Sequence, residues 1–457
     1  MKIIILGANK IGASLAENLE KEAAGVTVVD PDADRLRELK DRLDIGTTVG
    51  HPSFPDVLAA AGAQDADMLI AVTDSDEINL VACQVAFTLF RTPKKICRLR
   101  AKSYVNSVKL FSPESIPVDV VISPEEIASR YIKSLLDLPG SLQVMDFANG
   151  LVQLIAVKAE DGGPLINQEL QTLRKHMPQI DTRVAAIFRQ NRPLIPRGDT
   201  KIERNDEVFF IAAKENIRSV MSEMREADSP YKKIIIAGGG NIGSRLAAAI
   251  EKQYRTKLLE VNLERCELLA ETLSNTTILH VDASNREVLL EEGIDSVDVF
   301  LALTNNDEAN IMSSLLAKRL GAGRVMTLIS NPSYVDLVQG GEIDIAISPQ
   351  QATIGSLLTH IRRGDVVNVH SLRRGAAEAI EVVAHGDKST SKVVGKAVES
   401  IPLPKGTTIG AIVRDENVLI AHDDLILETD DHVILFMVDK RKISAVEALF
   451  QVGFTFF

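Results

Sequence analysis

The sequence has no tryptophan, only three cysteines among 457 residues, and no hydrophobic run long enough to cross a bilayer. Cys83, Cys97 and Cys266 lie in apolar segments without CxxC spacing, which argues against a zinc site and against a disulfide framework. Aromatic residues make up 4% of the chain, so we expect a core of Ile, Val, Leu and Ala. The amino-terminal MKIIILG predicts a strand rather than a signal peptide, and these features together favour a folded protein of the reducing cytosol.

Basic residues are the minority charge, with 51 Lys and Arg against 63 Asp and Glu and a formal net charge of −12. A nucleic-acid-binding protein needs a basic face, so this balance argues against a nucleic-acid partner. The sequence contains no HExxH, GxSxG or GxxxxGK[ST], and its eight histidines are scattered without metal-ligand spacing. We therefore predict neither a metal site nor a catalytic residue.

The chain repeats itself. Three pairs of similar segments align along it: 2–12 with 233–243, 71–79 with 302–310, and 118–126 with 343–351. The offset is 231 for the first two pairs and 225 for the third, so the first copy carries about six extra residues, which we place around FSPESIP (111–117). A match that holds over two hundred residues indicates a tandem duplication.

Each copy divides into a large and a small module. The large modules alternate β-branched runs with amphipathic segments, which is the βαβ pattern of a parallel sheet covered by helices on both faces. The small modules contain hairpin-like pairs of strands with short helices. The predicted class is α/β, with two Rossmann-like doubly wound parallel-sheet domains, each followed by a small α+β domain. The predicted boundaries are 1–124, 141–224, 232–350 and 368–452.

The second copy carries a complete dinucleotide-binding signature directly between a strand and a helix. Its loop consists of Gly238, Gly239, Gly240, Asn241, Ile242 and Gly243, and Glu260 ends the next strand. Glycine lets the backbone approach a pyrophosphate, the helix N-terminus offers N–H groups, and the carboxylate accepts the ribose hydroxyls. Because an acid there repels a 2′-phosphate, NAD or an adenine nucleotide is favoured over NADP. The alternative is a Rossmann turn kept only for packing.

The loop of the first copy is chemically different. It consists of Gly7, Ala8, Asn9, Lys10, Ile11 and Gly12, and Asp30 ends the following strand. Asn9 stands where the second glycine belongs; asparagine tolerates left-handed backbone angles, but its side chain crowds the phosphate approach. Lys10 would add positive charge beside the phosphates. An altered or lost first site is the alternative prediction.

Polar residues follow two further strands of each large module. Thr73 and Asp74 come after MLIAV, and Thr304 takes the place of Thr73 in the second copy. We expect these residues to line an adenosine pocket at the switch point of the sheet, with a helix cap as the alternative. His51 and Asp282 occupy equivalent positions after a third strand; Asp282 is a candidate site residue, and His51 is interpreted as a loop residue.

Arg98 and Arg100 alternate in KICRLR, so they share one face near the carboxyl end of a strand. Two arginines in this place suit a polyphosphate, and a solvated edge strand is the alternative. In the matching segment VMTLIS we assign Thr327 and Ile329 as their counterparts, so the pair is absent from the second copy.

These motifs together resemble the RCK (KTN) family of nucleotide-sensing domains that regulate potassium channels and transporters. The motifs that carry the match are MKIIILG, VTVVD, DADMLIAVTDSDEIN, ISPEE, ISPQQ, DTRVAAIFR, GGGNIG, NDEANIMSSLLAKR and SLRRGAAEAIE. The order of two large and two small modules is similar to the TrkA-type peripheral subunits of bacterial Trk potassium-uptake systems. Asn9 and Lys10 depart from the family, whose first loop usually reads GAGQVG.

The resemblance implies NAD(H) or ATP and ADP as bound regulatory ligands in two sites. Site one would consist of Gly7 to Gly12, Asp30, Thr73, Asp74 and Arg98, and site two of Gly238 to Gly243 with Glu260. It implies binding without turnover, by a cytoplasmic subunit, peripheral at the inner face of the cell membrane, that gates an integral-membrane potassium-translocating partner. A homo-oligomer, in the family a tetramer, is expected. The alternatives are an NAD-dependent oxidoreductase with an unrecognised substrate site and a free-standing nucleotide-binding adaptor.

Overall fold

The computed structural model describes residues 1–20, 25–112, 114–190, 192–194, 196–226, 229–338, 341–362, 366–372, 376–422 and 424–452. The chain divides into two compact units, one made of Met1–Arg130 and Lys233–Leu357, the other of Tyr131–Lys232 and Leu358–Phe457. The first unit therefore combines the two large modules, and the second combines the two small ones. Pro113 of FSPESIP and residues 373–375 of SLRRGAAEAIE lie outside the described residues.

The first large module alternates strands and helices. They are β1 (Lys2–Leu6), α1 (Lys10–Leu19), β2 (Gly25–Asp30), α2 (Ala33–Arg42), β3 (Gly46–Val49), α3 (Pro55–Ala60), β4 (Met68–Ala71), α4 (Asp76–Phe90), β5 (Lys94–Arg98), α5 (Lys102–Val105), β6 (Val120–Ile122) and α6 (Pro124–Asp137). The six strands are parallel, in the order β3-β2-β1-β4-β5-β6. The order reverses between β1 and β4, so the switch-point crevice opens where these two strands end.

Continuous apolar runs form the inner strands of this sheet, because helices cover both of its faces. All four residues of β4 are buried, as are the last four of β1. Polar residues then begin the helices, with Asn9 capping α1 and Asp32 capping α2. The strands thus end at the same edge of the sheet, where polar loops follow them.

The first small module follows, with an antiparallel sheet. Its elements are β7 (Ser141–Phe147), β8 (Val152–Lys158), α7 (Leu173–His176), β9 (Thr182–Arg189), β10 (Arg192–Leu194), β11 (Glu207–Ala213) and α8 (Ile217–Ser222). The strand order is β10-β9-β11-β8-β7.

The second large module repeats the topology of the first. Its elements are β12 (Lys233–Ala237), α9 (Asn241–Ile250), β13 (Arg255–Glu260), α10 (Leu263–Thr272), β14 (Thr276–His280), α11 (Arg286–Glu291), β15 (Val299–Ala302), α12 (Asp307–Arg319), β16 (Arg324–Leu328), α13 (Pro332–Val338), β17 (Ile345–Ile347) and α14 (Pro349–Ile361). The parallel strands lie in the order β14-β13-β12-β15-β16-β17.

The second small module consists of β18 (Val366–Leu372), β19 (Ala377–Val383), β20 (Thr407–Arg414), β21 (Asn417–Ile420), β22 (His432–Met437) and α15 (Ile443–Phe450). Its antiparallel sheet has the order β18-β19-β22-β20-β21. Both small modules contribute to one apolar core, in which Phe188 and Phe209 of the first belong to the same cluster as Ala411 and Phe436 of the second. The predicted fold class is confirmed, whereas the four domain boundaries stay a prediction. Within the described ranges, no helix combines the length and the apolar character that a membrane span requires.

Candidate functional site

In both copies the acid at the end of the second strand holds the glycine loop. Asp30 Oδ2 accepts the N–H of Ala8 at 2.6 Å, and Glu260 Oε2 accepts the N–H of Gly239 at 2.8 Å. The other oxygen of each carboxylate accepts the N–H two residues further along, at 2.9 Å in both copies. Asp30 and Glu260 are 5% and 9% exposed, so each is fixed beside its loop. Because a carboxylate oxygen accepts more than one hydrogen bond, lone pairs remain for ribose hydroxyls.

The first and last glycines of both loops are required by the backbone. Gly7 and Gly238 have φ of +105°, which side chains of L-residues rarely allow. A Cβ on Gly12 would lie 1.9 Å from the carbonyl oxygen of Gly7, and one on Gly243 would lie 2.0 Å from that of Gly238. These four positions therefore accept glycine alone.

The second glycine position serves a different purpose. Asn9 has φ of −71°, so its tolerance of left-handed angles is not used. Its Oδ1 instead accepts the N–H groups of Ile11 and Gly12, both at 3.1 Å, and caps α1. Gly240, at the same place before α9, has φ of −63° and provides no side-chain cap. The two loops thus differ in what fills the helix N-terminus.

The remaining loop positions differ in their exposure to solvent. Lys10 and Asn241, the first residues of α1 and α9, are exposed, whereas Ile11 is buried and Ile242 half-buried. The isoleucines anchor each helix, and the exposed residues border the loop.

An arginine that the sequence analysis missed also holds the second loop. Arg265 of α10 donates from Nε to the carbonyl oxygen of Gly239 at 2.8 Å. In the first copy Arg35 instead pairs with the carboxylate of Asp32 at 3.3 Å. Asn262 takes the place of that aspartate in the second copy, so no charge there attracts Arg265 away from the loop.

Two buried asparagines organise the strand ends of the crevice, and the sequence analysis assigned them no role. Asn79 Oδ1 accepts from the N–H and the hydroxyl of Thr73 at 3.0 and 2.7 Å, and its Nδ2 donates to the carbonyl of Arg98 at 3.0 Å. Asn310 makes the same two bonds to Thr304, at 3.0 and 2.6 Å. The signal was available, since asparagine ends both AVTDSDEIN and ALTNNDEAN.

The helix caps in this region come from neighbouring residues. Ser75 Oγ accepts the N–H of Ile78 at 3.2 Å at the start of α4, and Asn306 Oδ1 accepts that of Ala309 at 2.6 Å at the start of α12. Thr73 and Thr304 therefore lie at the strand ends, bonded to Asn79 and Asn310, without serving as the N-caps.

Arg98 lies at the carboxyl end of an inner strand. Because β5 pairs with β4 on one side and β6 on the other, and Arg98 is 6% exposed, the alternative of a solvated edge strand is wrong. Burial lowers the pKa of the Arg98 guanidinium; the charge of Glu125 raises it, and that of Arg100 lowers it.

The counterparts of the two arginines also need correction. The carbonyl oxygens of Arg98 and Leu328 accept from the two equivalent asparagines, so Leu328 corresponds to Arg98 and Ser330 to Arg100. The reason is that the segment from the start of α4 to the start of β5 is one residue longer than its repeat. The pair remains unique to the first copy. The predicted counterparts, Thr327 and Ile329, were therefore wrong by one residue.

The structure brings most predicted residues of site one into one polar network. Asp74 Oδ1 lies 3.3 Å from both Asn9 Nδ2 and Arg98 Nη1. Glu125 Oε1, which the sequence analysis missed within ISPEE, accepts from Arg100 Nε at 3.2 Å and lies 3.7 Å from Arg98 Nη2. Two carboxylates, those of Asp74 and Glu125, therefore connect the glycine loop and the end of β4 with the two arginines.

Asp282 follows the strand next to the one that Glu260 ends. Its Oδ1 accepts the N–H of Ser284 at 2.8 Å in an exposed turn directly after β14, a strand that pairs with β13 up to Glu260. At the equivalent place, His51 Nδ1 lies 3.0 Å from Ser53 Oγ. Both residues shape local turns.

Fold and loops together define a tandem of Rossmann-like modules with glycine loops, each followed by a small α+β partner. The TrkA-N domain matches residues 3–124 and 234–349, and the TrkA-C domain matches 154–225 and 387–451. The chain belongs to the TrkA family.

Similar proteins span the whole chain. The Trk system potassium uptake protein TrkA of Halomonas elongata is 63% identical over 457 residues, 100% of both chains, and that of Vibrio alginolyticus is 61% identical over 99% of both. Among solved structures, the GsuK RCK domain shares the fold, with 19% identity, a TM-score of 0.61, and coverage of 98% of this chain and 94% of that one.

Proposed function

We propose that each large module binds an adenine nucleotide, NAD(H) or ADP and ATP, at its glycine loop. The observation that carries this proposal is the hydrogen bond from each loop to its acid, Ala8 to Asp30 and Gly239 to Glu260. It holds each carboxylate beside its loop, which supports a role in binding the ribose of a nucleotide. The TrkA-N match supports it, as do GsuK structures of the same fold that are described as bound to NAD and to ADP.

The two sites, we infer further, prefer different ligands. In site two the N-terminus of α9 has no side-chain cap, which suits the pyrophosphate of a dinucleotide. In site one Asn9 already occupies the N–H groups at the start of α1, so phosphates are displaced towards Arg98 and Arg100. A polyphosphate such as that of ATP fits this arrangement, because arginine forks bind phosphate oxygens in pairs.

The function that follows is regulation of potassium uptake. The chain would be the nucleotide-sensing subunit of a Trk-type system, docked as a homo-oligomer, in the family a tetramer, on the cytoplasmic face of an integral-membrane potassium-translocating partner. The names of the full-length relatives support this role, at 63% and 61% identity.

The mechanism is binding without chemical turnover. A nucleotide changes the equilibrium between two arrangements of the subunit only through its different affinity for them, typically about 1–3 kcal/mol of coupling per site. Asp30 and Glu260 orient the ribose, the loops and arginines hold the phosphates, and no bond of the nucleotide breaks. The partner's pore opens or closes as the preferred arrangement changes.

Calorimetric titration of the full chain with ATP, ADP, NAD and NADH tests the proposal. The full chain is required because the two large modules form one compact unit. We expect two classes of site, distinguished by variants of Gly240 and Asn9. Absence of nucleotide binding would contradict the proposal, and sustained NADH consumption with keto acids would favour the oxidoreductase instead.

A further inference from the structure

One side chain of the second large module reaches site one. Arg245 lies on α9, five residues after Gly240 of the second glycine loop, and its Nη2 donates to the carbonyl oxygen of Arg100 at 2.8 Å. Arg100 follows β5 in the first module. Helix α9 therefore begins at the proposed phosphate end of site two, and its Arg245 contacts a residue of site one.

The contact continues as a chain of polar groups to the first glycine loop. Arg100 Nε donates to Glu125 Oε1 at 3.2 Å, and the same oxygen lies 3.7 Å from Arg98 Nη2. Arg98 Nη1 then donates to Asp74 Oδ1 at 3.3 Å, and this oxygen also accepts from Asn9 Nδ2 at 3.3 Å. Helix α9 is thus connected to the residue that caps α1 through the Arg100 carbonyl and a series of charged side chains.

Cations lie along or beside this chain together with the carboxylates of Asp74 and Glu125. Its cations come from both modules: Arg98, Arg100, Lys102 and Arg245. Desolvation lowers the pKa of the Lys102 ammonium, and the neighbouring charge of Arg245 lowers it further. Such a group of cations attracts a polyanion more strongly than any one of them does.

The two copies differ at the position of Arg245. At the place of Arg245, the first glycine helix carries Ser14, whose hydroxyl has none of the reach of a guanidinium. The second copy in turn has Leu328 and Ser330 where the first has its arginines. An arginine of the second module therefore contacts site one, whereas the charge of the first module that acts on Glu308, at the start of α12, is that of Lys10.

We propose that Arg245 is a positioning residue of site one, supplied by the second large module, and that α9 couples the occupancy of the two sites. The inference rests on the proposed nucleotide binding. A ligand at the N-terminus of α9 shifts the helix that fixes the Arg100 carbonyl, and with it the arginines that hold phosphates in site one. Linkage makes the effect reciprocal, so a ligand in site one changes the affinity of site two by the same factor.

The first test measures ATP affinity calorimetrically in full-length chains that carry Gly240→Asp, which blocks site two. We expect Arg245→Ala to weaken binding about tenfold, since a charge-assisted hydrogen bond is lost. Arg245→Lys keeps a charge and a donor and should recover most of the affinity. The matched control is Arg255→Ala, which removes an exposed arginine at the start of β13. An Arg245→Ala affinity equal to that of this control would overturn the positioning role.

The second test measures coupling in chains with both sites intact. Saturating NADH should change the ATP affinity of the wild-type chain by about fivefold or more, and Arg245→Ala should reduce this factor towards one. A wild-type factor of one, or an unchanged factor in the variant, would refute the coupling. If Arg245→Ala lowers the melting temperature of the chain, both tests are made with Arg245→Gln instead. A wild-type chain that binds neither ATP nor NADH would instead refute the proposed function itself.

Discussion

Asn9 and Gly240 occupy the same place in the two glycine loops, yet only Asn9 fills the helix N-terminus behind it. Its Oδ1 accepts two N–H groups of α1 at 3.1 Å, whereas α9 begins at Gly240 without a side-chain cap. In the proposed sites, a phosphate therefore meets the uncapped helix directly in site two and is displaced towards Arg98 and Arg100 in site one. The two copies of one fold therefore differ at the N-terminus of the helix that follows the glycine loop.

Gly240→Asp should weaken dinucleotide binding at site two without harming the fold. A Cβ on Gly240 meets no atom within 4 Å, its φ of −63° suits any residue, and aspartate is a good N-cap. The carboxylate repels phosphates, so we expect NADH affinity at site two to fall about tenfold or more, at an unchanged or higher melting temperature. Gly240→Ala adds only the methyl group and is the control. NADH affinity at the wild-type level in Gly240→Asp would contradict the site.

Asn9→Gly should have the opposite effect in site one. The variant loses the cap of α1 and the bond from Asn9 Nδ2 to the carbonyl of Val72 at 2.7 Å, so the free energy of unfolding should fall by about 1 kcal/mol. The N–H groups it uncovers should strengthen phosphate binding. Urea unfolding and ATP titration on the Gly240→Asp background measure both effects. Unchanged stability together with unchanged ATP affinity would show that the cap does not separate the two loops.

Replacing Arg98 and Arg100 together by Ala should weaken ATP binding at site one and leave NADH binding at site two unchanged. Removing both cations leaves the buried carboxylate of Glu125 without these two arginine partners. Glu125→Gln is therefore added to the double variant to keep the fold. Calorimetry with ATP and NADH separates the sites. If ATP binds the triple variant as tightly as it binds Glu125→Gln alone, the arginines do not contact phosphate.

Glu260→Ala should relax discrimination against NADP at site two. The carboxylate that repels a 2′-phosphate disappears, and Arg265, 2.8 Å from the Gly239 carbonyl, remains to attract it. The N–H of Gly239 loses its buried acceptor, so about 1–3 kcal/mol of stability should be lost as well. Glu264→Ala, an exposed acid in the first turn of α10, is the control. A ratio of NAD to NADP affinity equal to the control's would remove Glu260 from the ribose.

The sequence was sufficient to predict both loops and their acids, because these signals are local. Glycine spacing between a strand and a helix requires particular backbone angles, and the acid ends the next strand, so Gly238 and Glu260 could be placed without coordinates. The parallel sheets followed from apolar runs that repeat with intervening helices.

The residues that were missed depend on contacts between distant segments. Asn79 joins two strand ends through its amide, and Arg245 contacts Arg100 across 145 positions of the chain. The orientation of a long side chain depends on packing that a linear pattern does not contain. The sequence motifs do not indicate the shared core of the two small modules for the same reason. Each sheet by itself has the sequence pattern of a complete antiparallel domain.

Potassium uptake in vesicles that contain the Trk-type membrane partner tests the central claim most directly. Uptake is measured with the full chain on the cytoplasmic side, with and without ATP and NADH, and compared with a chain that carries both Gly240→Asp and the arginine replacements. The account predicts that nucleotide changes the uptake rate only when the wild-type chain is present, and that the combined variant abolishes this response. A nucleotide response that is equal without the chain, or fully retained by the combined variant, would contradict it.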